Sequence, residues 1–169
     1  NLSIRDDLII NNVTITKMHQ GVLKLSSDVI SVEKSGVSAV ENDGKVELNG
    51  SKIKGAKGTY GINNKQGSLL LMENGLISGN MTAINNNEIA TTIINDGEII
   101  GDTSYYTLYQ ESYLSDIIIN NINLTGSIHN NNNKANVYIK NGTIKSKIDA
   151  IVSHYGNIYI DNANVQGSS

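Results

Sequence analysis

A chain of 169 residues with 38% hydrophobic and 5% aromatic side chains, and with no Phe, Trp, Pro or Cys, offers thin material for a globular core. A net charge of −3 with a single arginine, Arg5, argues against nucleic-acid binding, which needs clustered cations to displace counterions. No apolar run approaches the roughly 20 residues that span a bilayer, and the absence of Cys excludes a disulfide scaffold and a Cys-based metal site.

What the chain has instead is about 25 asparagines and about 25 isoleucines, a bias strong enough to inform the fold class. Isoleucine recurs between the asparagines at fixed offsets, which a disordered polar tract has no reason to maintain and a solenoid does. The pattern is an aliphatic residue at positions 1, 3 and 8, a turn residue at 5, and usually Gly at 10. In chain order the rows are Leu8-Ile10-Asn12-Ile15-Lys17, Leu23-Leu25-Ser27-Ile30-Val32, Val46-Leu48-Gly50-Ile53-Gly55 and Leu70-Met72-Asn74-Ile77-Gly79. They continue as Thr92-Ile94-Asp96-Ile99-Gly101, Ile117-Ile119-Asn121-Leu124-Gly126, Val137-Ile139-Asn141-Ile144-Ser146 and Ile158-Ile160-Asn162-Val165-Gly167. The step between rows, roughly 15 to 25 residues, is that of a repeat protein. The short first step marks the first row as distorted or misaligned.

Each row reads as strands. Positions 1 and 3 alternate with an outward residue and form a short half-buried strand, and position 8 belongs to a second one. Position 5 lies where the chain turns between them. The residues there, Asn12, Asn74, Asp96, Asn121, Asn141 and Asn162, tolerate the left-handed backbone and bond their own main chain. Stacking about 4.8 Å apart would let this turn ladder bond from coil to coil. A third strand is expected at Ala39–Val40, Gly61–Ile62, Ala83–Ile84, Leu108–Tyr109 and Ala150–Ile151. The prediction is an all-β chain, a three-sided parallel β-helix of about eight coils, running as one segment over 1–169. Two stretches leave the register: a Tyr-rich excursion at 102–116 and a polar loop at 128–135.

The phrase Asn74-Gly75-x-Ile77-x-Gly79, followed by Ala83-Ile84-x-Asn86, resembles the repeat of β-helical passenger domains of Gram-negative autotransporters, the type V secreted adhesins. Asn141-Gly142-Thr143-Ile144 with Ala150-Ile151 is a second copy. The resemblance implies a right-handed β-helix made as part of a longer precursor and displayed on the cell surface or shed from it. The Ile, Asn and Lys bias points to an AT-rich genome such as a fusobacterial one. The chain shows no signal peptide and begins and ends in mid-pattern, so it is expected to be an excised segment of a longer passenger. The resemblance further implies an adhesin or stalk that binds a protein or glycan on a host or bacterial cell.

An enzyme of this fold would need carboxylates gathered on one face. Position 2 reads Ile9, Lys24, Glu47, Leu71, Ile93, Ile118, Tyr138, Tyr159, and position 7 reads Thr14, Val29, Lys52, Leu76, Glu98, Asn123, Thr143, Asn164. Neither puts two acids on adjacent coils, which leaves only loop pairs such as Asp102 with Asp116 or Glu111. No catalytic residue, cofactor or metal is therefore expected, and His19, His129 and His154, at unrelated register positions, are expected on the surface or in loops. The alternatives are a carbohydrate-active β-helix enzyme, a tailspike-like fragment, and the receptor-binding segment of a vacuolating-type toxin. The candidate partner-binding residues are the uncharged outward stripe Leu71, Ile93, Ile118, Tyr138 and Tyr159 together with Tyr105, Tyr106, Tyr109 and Tyr113 of the excursion. Contiguous apolar surface marks interaction sites, and tyrosine supplies rigid contact area with a polar tip. Self-association through the stripe or through open coil ends is a further expectation. Asn-x-Ser/Thr at Asn12, Asn49, Asn80, Asn123 and Asn141 is ascribed to chance in so Asn-rich a chain.

Overall fold

The computed structural model describes residues 9–33, 36–87, 89–101, 106–111, 114, 116–131 and 134–168, with the backbone alone for 2–5. It is a parallel β-helix. Among the described residues every strand pairing is parallel, each strand except at the two ends bonds the equivalent strand one coil before and after, and there is no helix. The high Gly and Asn content works against helix, while Ile and Val suit a pleated, half-buried surface.

Three faces follow one another in each coil. The first is built from Leu2–Arg5, Val22–Ser26, Thr91–Ile94, Ile117–Ile119 and the leading halves of Lys45–Lys54, Leu69–Ser78, Asn136–Lys145 and Asn157–Gln166. The second is built from Ile9–Asn11, Val29–Ser31, Glu98–Ile100, Asn123–Thr125 and the trailing halves of the same four long strands. The third is the seven-stranded sheet of Ile15–Lys17, Val40–Asn42, Tyr60–Asn64, Thr82–Asn86, Tyr106–Gln110, Ser127–Asn130 and Ile151–Ser153. Seven coils are complete, and an eighth row, Asn157–Gln166, covers two faces.

The core is the set of inward columns. Leu23, Val46, Leu70, Ile117 and Val137 form one, Leu25, Leu48, Met72, Ile94, Ile119 and Ile139 a second, and Ile30, Ile53, Ile77, Ile99, Leu124 and Ile144 a third, all buried. Full burial of each such side chain is worth about 1.5–3 kcal/mol. The first corner recurs in three coils: Gly75, Gly97 and Gly142 sit there at φ +136°, +133° and +122°, a backbone that L side chains rarely adopt. At the second corner Gly79 is required by space, since a Cβ there would lie 2.2 Å from the Thr82 carbonyl oxygen.

The first row of the expected register is wrong. Leu2 pairs with Leu23 and Ile4 with Leu25, so these occupy positions 1 and 3, while Ile10 pairs with Ile30 at position 8 and Ile15 with Val40 on the third face. Leu8 lies outside the described residues. Period-two alternation fits either pair of aliphatics, and only the neighbouring coil decides between them. Asn12 consequently leaves the first-corner ladder. It follows the second strand at φ 59°, and its Oδ1 accepts the Glu33 N–H at 2.9 Å.

The third strand also differs. Its inward column is Val40, Ile62, Ile84, Leu108, Ile128 and Ile151, so Tyr109 points outward. The excursion at 102–116 therefore contains a regular strand, Tyr106–Gln110, and the expected loop at 128 opens with the strand Ser127–Asn130. Two residues beyond each of the first five inward aliphatics stands a buried amide: Asn42, Asn64, Asn86, Gln110 and Asn130. Asn42 Nδ2 donates to Asn64 Oδ1 at 2.9 Å, Asn64 Nδ2 to Asn86 Oδ1 at 2.7 Å, and Asn86 Nδ2 to Gln110 Oε1 at 2.8 Å. The last, Asn130, turns to the carbonyls of Ala135 and Tyr155. This is the internal amide ladder of the molecule, and it lies at the third corner instead of the first. A buried amide without a partner costs about 1–3 kcal/mol, so the stacking that supplies partners also fixes the register.

Candidate interaction surface

The outward stripe on the first face forms as the sequence implies. Lys24, Glu47, Leu71, Ile93, Ile118, Tyr138 and Tyr159 are consecutive cross-strand partners in one ladder. Ile9 does not belong to it: it is paired with Val29 on the second face, and Ser3 takes its place before Lys24. Leu71, Ile93 and Ile118 are half-buried by their neighbours along the column, while Tyr138 and Tyr159 are 36% and 50% exposed. The two tyrosine rings stack with centroids 4.8 Å apart and planes within 6°. Each ring covers one face of the other, and both side chains stay exposed. Desolvation, the Asp116 carboxylate and Tyr159 all push the Tyr138 phenol above its ordinary value.

Polar columns flank the stripe. On one side Asn120 Nδ2 donates to Asn95 Oδ1 at 2.7 Å and Asn95 Nδ2 to Glu73 Oε2 at 2.8 Å, with Lys140 and Asp161 continuing the column. On the other side Asp116 Oδ1 accepts from the main-chain N–H and the Nδ2 of Asn136 at 2.9 and 3.1 Å. The N-terminal end is closed by charge: Glu47 meets Lys45 at 2.7 Å and Lys24 at 3.1 Å, and its carboxyl is held below the usual range, first by Lys45 and then by Lys24. Exposed pairs of this kind are worth about 0–1 kcal/mol, so they bound the stripe without stabilising the fold much.

The tyrosines of the excursion lie elsewhere. Tyr105 and Tyr113 fall outside the described residues. Tyr106 and Tyr109 stand on the third face, stacked 5.8 Å apart, and so do not extend the stripe. They pack on His129, whose ring centroid is 3.8 Å from Tyr106, 5.2 Å from Tyr109 and 5.0 Å from His154. His129, expected on the surface or in a loop, stands in a strand and is 4% exposed. Among the described residues neither of its ring nitrogens has a hydrogen-bond partner, and burial, then His154, pushes its pKa down. The Tyr109 hydroxyl donates to Glu111 Oε1 at 3.3 Å and accepts from Asn131 Nδ2 at 3.4 Å.

At the first corner Asn74, Asp96, Asn121, Asn141 and Asn162 are all exposed. The expected coil-to-coil ladder reduces to one side-chain rung, Asn121 Nδ2 to Asp96 Oδ1 at 2.9 Å. Asn74 and Asp96 instead accept the N–H of the following glycine at 2.6 and 2.8 Å, and Asn141 Nδ2 donates to the Asn120 carbonyl.

The position 7 column runs Val29, Lys52, Leu76, Glu98, Asn123, Thr143, Asn164, with no two acids adjacent; Thr14 is not in it. Asp102 lies outside the described residues, and Asp116 is committed to Asn136. Among the described residues no three His, Cys, Asp or Glu side chains gather to hold a metal. A groove of about 430 Å³ follows the second corner past Glu33, Lys54, Gly55, Gly79, Asn80 and Gly101, and among the described residues Glu33 is its one acidic lining residue. Comparison with protein-family models, with curated proteins and with solved structures finds no match.

Proposed function

We propose that this chain is a non-enzymatic binding segment of a surface-displayed or secreted protein of the autotransporter kind, an adhesin or stalk, and that the first-face stripe is its contact surface. The observation that carries the reading is the ladder Leu71, Ile93, Ile118, Tyr138, Tyr159: apolar and aromatic side chains held in register on a sheet and facing solvent. A strand surface of this kind buries apolar area against a partner without rearranging, which keeps the ordering cost of association low. The stacked tyrosines add rigid aromatic contact area with polar tips, which suits a protein surface.

The test is binding of the purified chain to host cells and to protein and glycan arrays, with Tyr138→Ser plus Tyr159→Ser as the variant. Loss of the two largest and most exposed side chains of the stripe is expected to weaken binding by about tenfold or more. Binding that is unchanged while the fold is retained would falsify the assignment of the stripe.

A further inference from the structure

We propose that the partner of the stripe is a second copy of this chain, packed face to face with its coils running in the opposite direction; this rests on the reading of the stripe as a contact surface.

The order of side chains along two adjacent columns is complementary to its own reverse. Coils four to seven carry Leu71, Ile93, Ile118 and Tyr138 in the stripe, and Glu73, Asn95, Asn120 and Lys140 beside it. A two-fold axis parallel to the strands, placed between coils five and six, keeps each column opposite itself and reverses its order. Ile93 then meets Ile118 of the second copy and Leu71 meets Tyr138. In the flanking column Asn95 meets Asn120, and Glu73 meets Lys140. Symmetry produces each contact twice, as an isologous interface requires. At the rim, the Tyr159 hydroxyl comes opposite Glu47.

Glu73 and Lys140 are both exposed, and among the described residues neither has an oppositely charged partner within its own chain. They stand at equal distances from the proposed axis, on the same side of the stripe. The charges also select the register. Moving the axis by half a coil, onto Ile118, would bring Glu73 against Asp161, two carboxylates.

Two sheets packed this way lie about 10 Å apart. The opposed area, six coils by three outward columns, is roughly 25 by 14 Å, and counting both copies buries on the order of 700–1,000 Å². That is the low end for a specific interface and fits a weak, reversible dimer, the kind that many copies on a surface would add up into strong attachment.

Sedimentation equilibrium of the full chain over roughly 1 μM to 1 mM tests this. A monomer–dimer equilibrium is expected. Glu73→Lys and Lys140→Glu should each weaken it by about tenfold, since each places like charges together twice per dimer. The double variant, Glu73→Lys with Lys140→Glu, should recover the wild-type constant within about threefold, because the swap restores opposite charges across the axis. Far-ultraviolet circular dichroism confirms that the variants fold. A chain monomeric throughout the range overturns the proposal, as does a dimer insensitive to either reversal, or single losses that the double variant does not rescue. In those cases a Tyr138 and Tyr159 variant that still loses binding to cells or to an arrayed protein keeps the stripe as a contact surface with a different occupant.

Discussion

His129 shows what one residue gains from the coil before it. Tyr106 and Tyr109 sit on the preceding coil and close over its imidazole, so a histidine in an apparently polar segment becomes buried and loses its hydrogen-bond partners among the described residues. Burial disfavours the imidazolium, and the neighbouring His154 adds repulsion. The titratable groups facing it are Tyr106, Tyr109 and His154, with Glu111 one hydrogen bond further out. A folded-state value below the ordinary 6.5 means that the unfolded chain takes up the proton first. The stability due to the neutral imidazole is thus complete above pH 6.5 and is lost as pH falls from there through the folded value. The melting temperature should drop on acidification from neutral pH, and His129→Phe should flatten that part of the profile. Equal slopes for the two proteins between neutrality and the onset of carboxylate titration would remove His129 as the cause. Nothing in Ile128-His129-Asn130 foretells this burial, because the covering rings come from a different coil.

At the scale of the strand, legibility follows alternation. The first two faces carry regular in–out patterns, and from Leu23 onward the columns at positions 1, 2, 3, 7 and 8 stand where the sequence puts them. The third face is legible only in part, because near the start of its strands two successive residues, Gly61 and Ile62 or Ala83 and Ile84, are both buried and break the alternation. Its signature is present in the chain all the same, as an aliphatic residue, any residue, then Asn or Gln: Val40-Glu41-Asn42, Ile62-Asn63-Asn64, Ile84-Asn85-Asn86, Leu108-Tyr109-Gln110, Ile128-His129-Asn130. The abundance of exposed asparagine hides it. The two asparagine classes should separate by experiment. Asn86 accepts from Asn64 and Thr92 and donates to Gln110, so Asn86→Ala leaves buried groups without partners and should cost about 1–3 kcal/mol in urea denaturation. Asn74→Ala, at an exposed corner, should stay within about 0.5 kcal/mol. Similar losses at the two sites would show that the buried ladder is not a source of stability.

The molecule as a whole is nearly one-dimensional: each coil touches only the coils on either side, so protection should grade along the axis instead of being uniform. The last row, Asn157–Gln166, is paired on one side only, and its inward residues Ile160 and Val165 remain 47% and 38% exposed, whereas their equivalents Met72 and Ile77 are fully buried. Hydrogen exchange of the chain should therefore be fastest in Asn157–Gln166 and slowest in Leu69–Ser78 and Thr91–Ile94. A single protection level across all of these would show that the coils unfold as one unit. The solenoid architecture was legible because its repeat is written in the chain. The Glu73–Lys140 relation was not, since it exists only once coils four and seven are placed on a common column.

The second corner has a use as a place to add material. Coil six turns it with Gly126 alone between Thr125 and Ser127, while coil three spends residues 55–59 there, and both feed strands of the third face. Length at this edge varies from coil to coil within the chain, whereas the first corner takes the same number of residues from Met72 to Ile77, Ile94 to Ile99 and Ile139 to Ile144. A foreign peptide spliced after the exposed Lys57 would hang outside the prism and leave both neighbouring coils intact, so that edge is where an epitope, a fluorophore or a displayed library belongs.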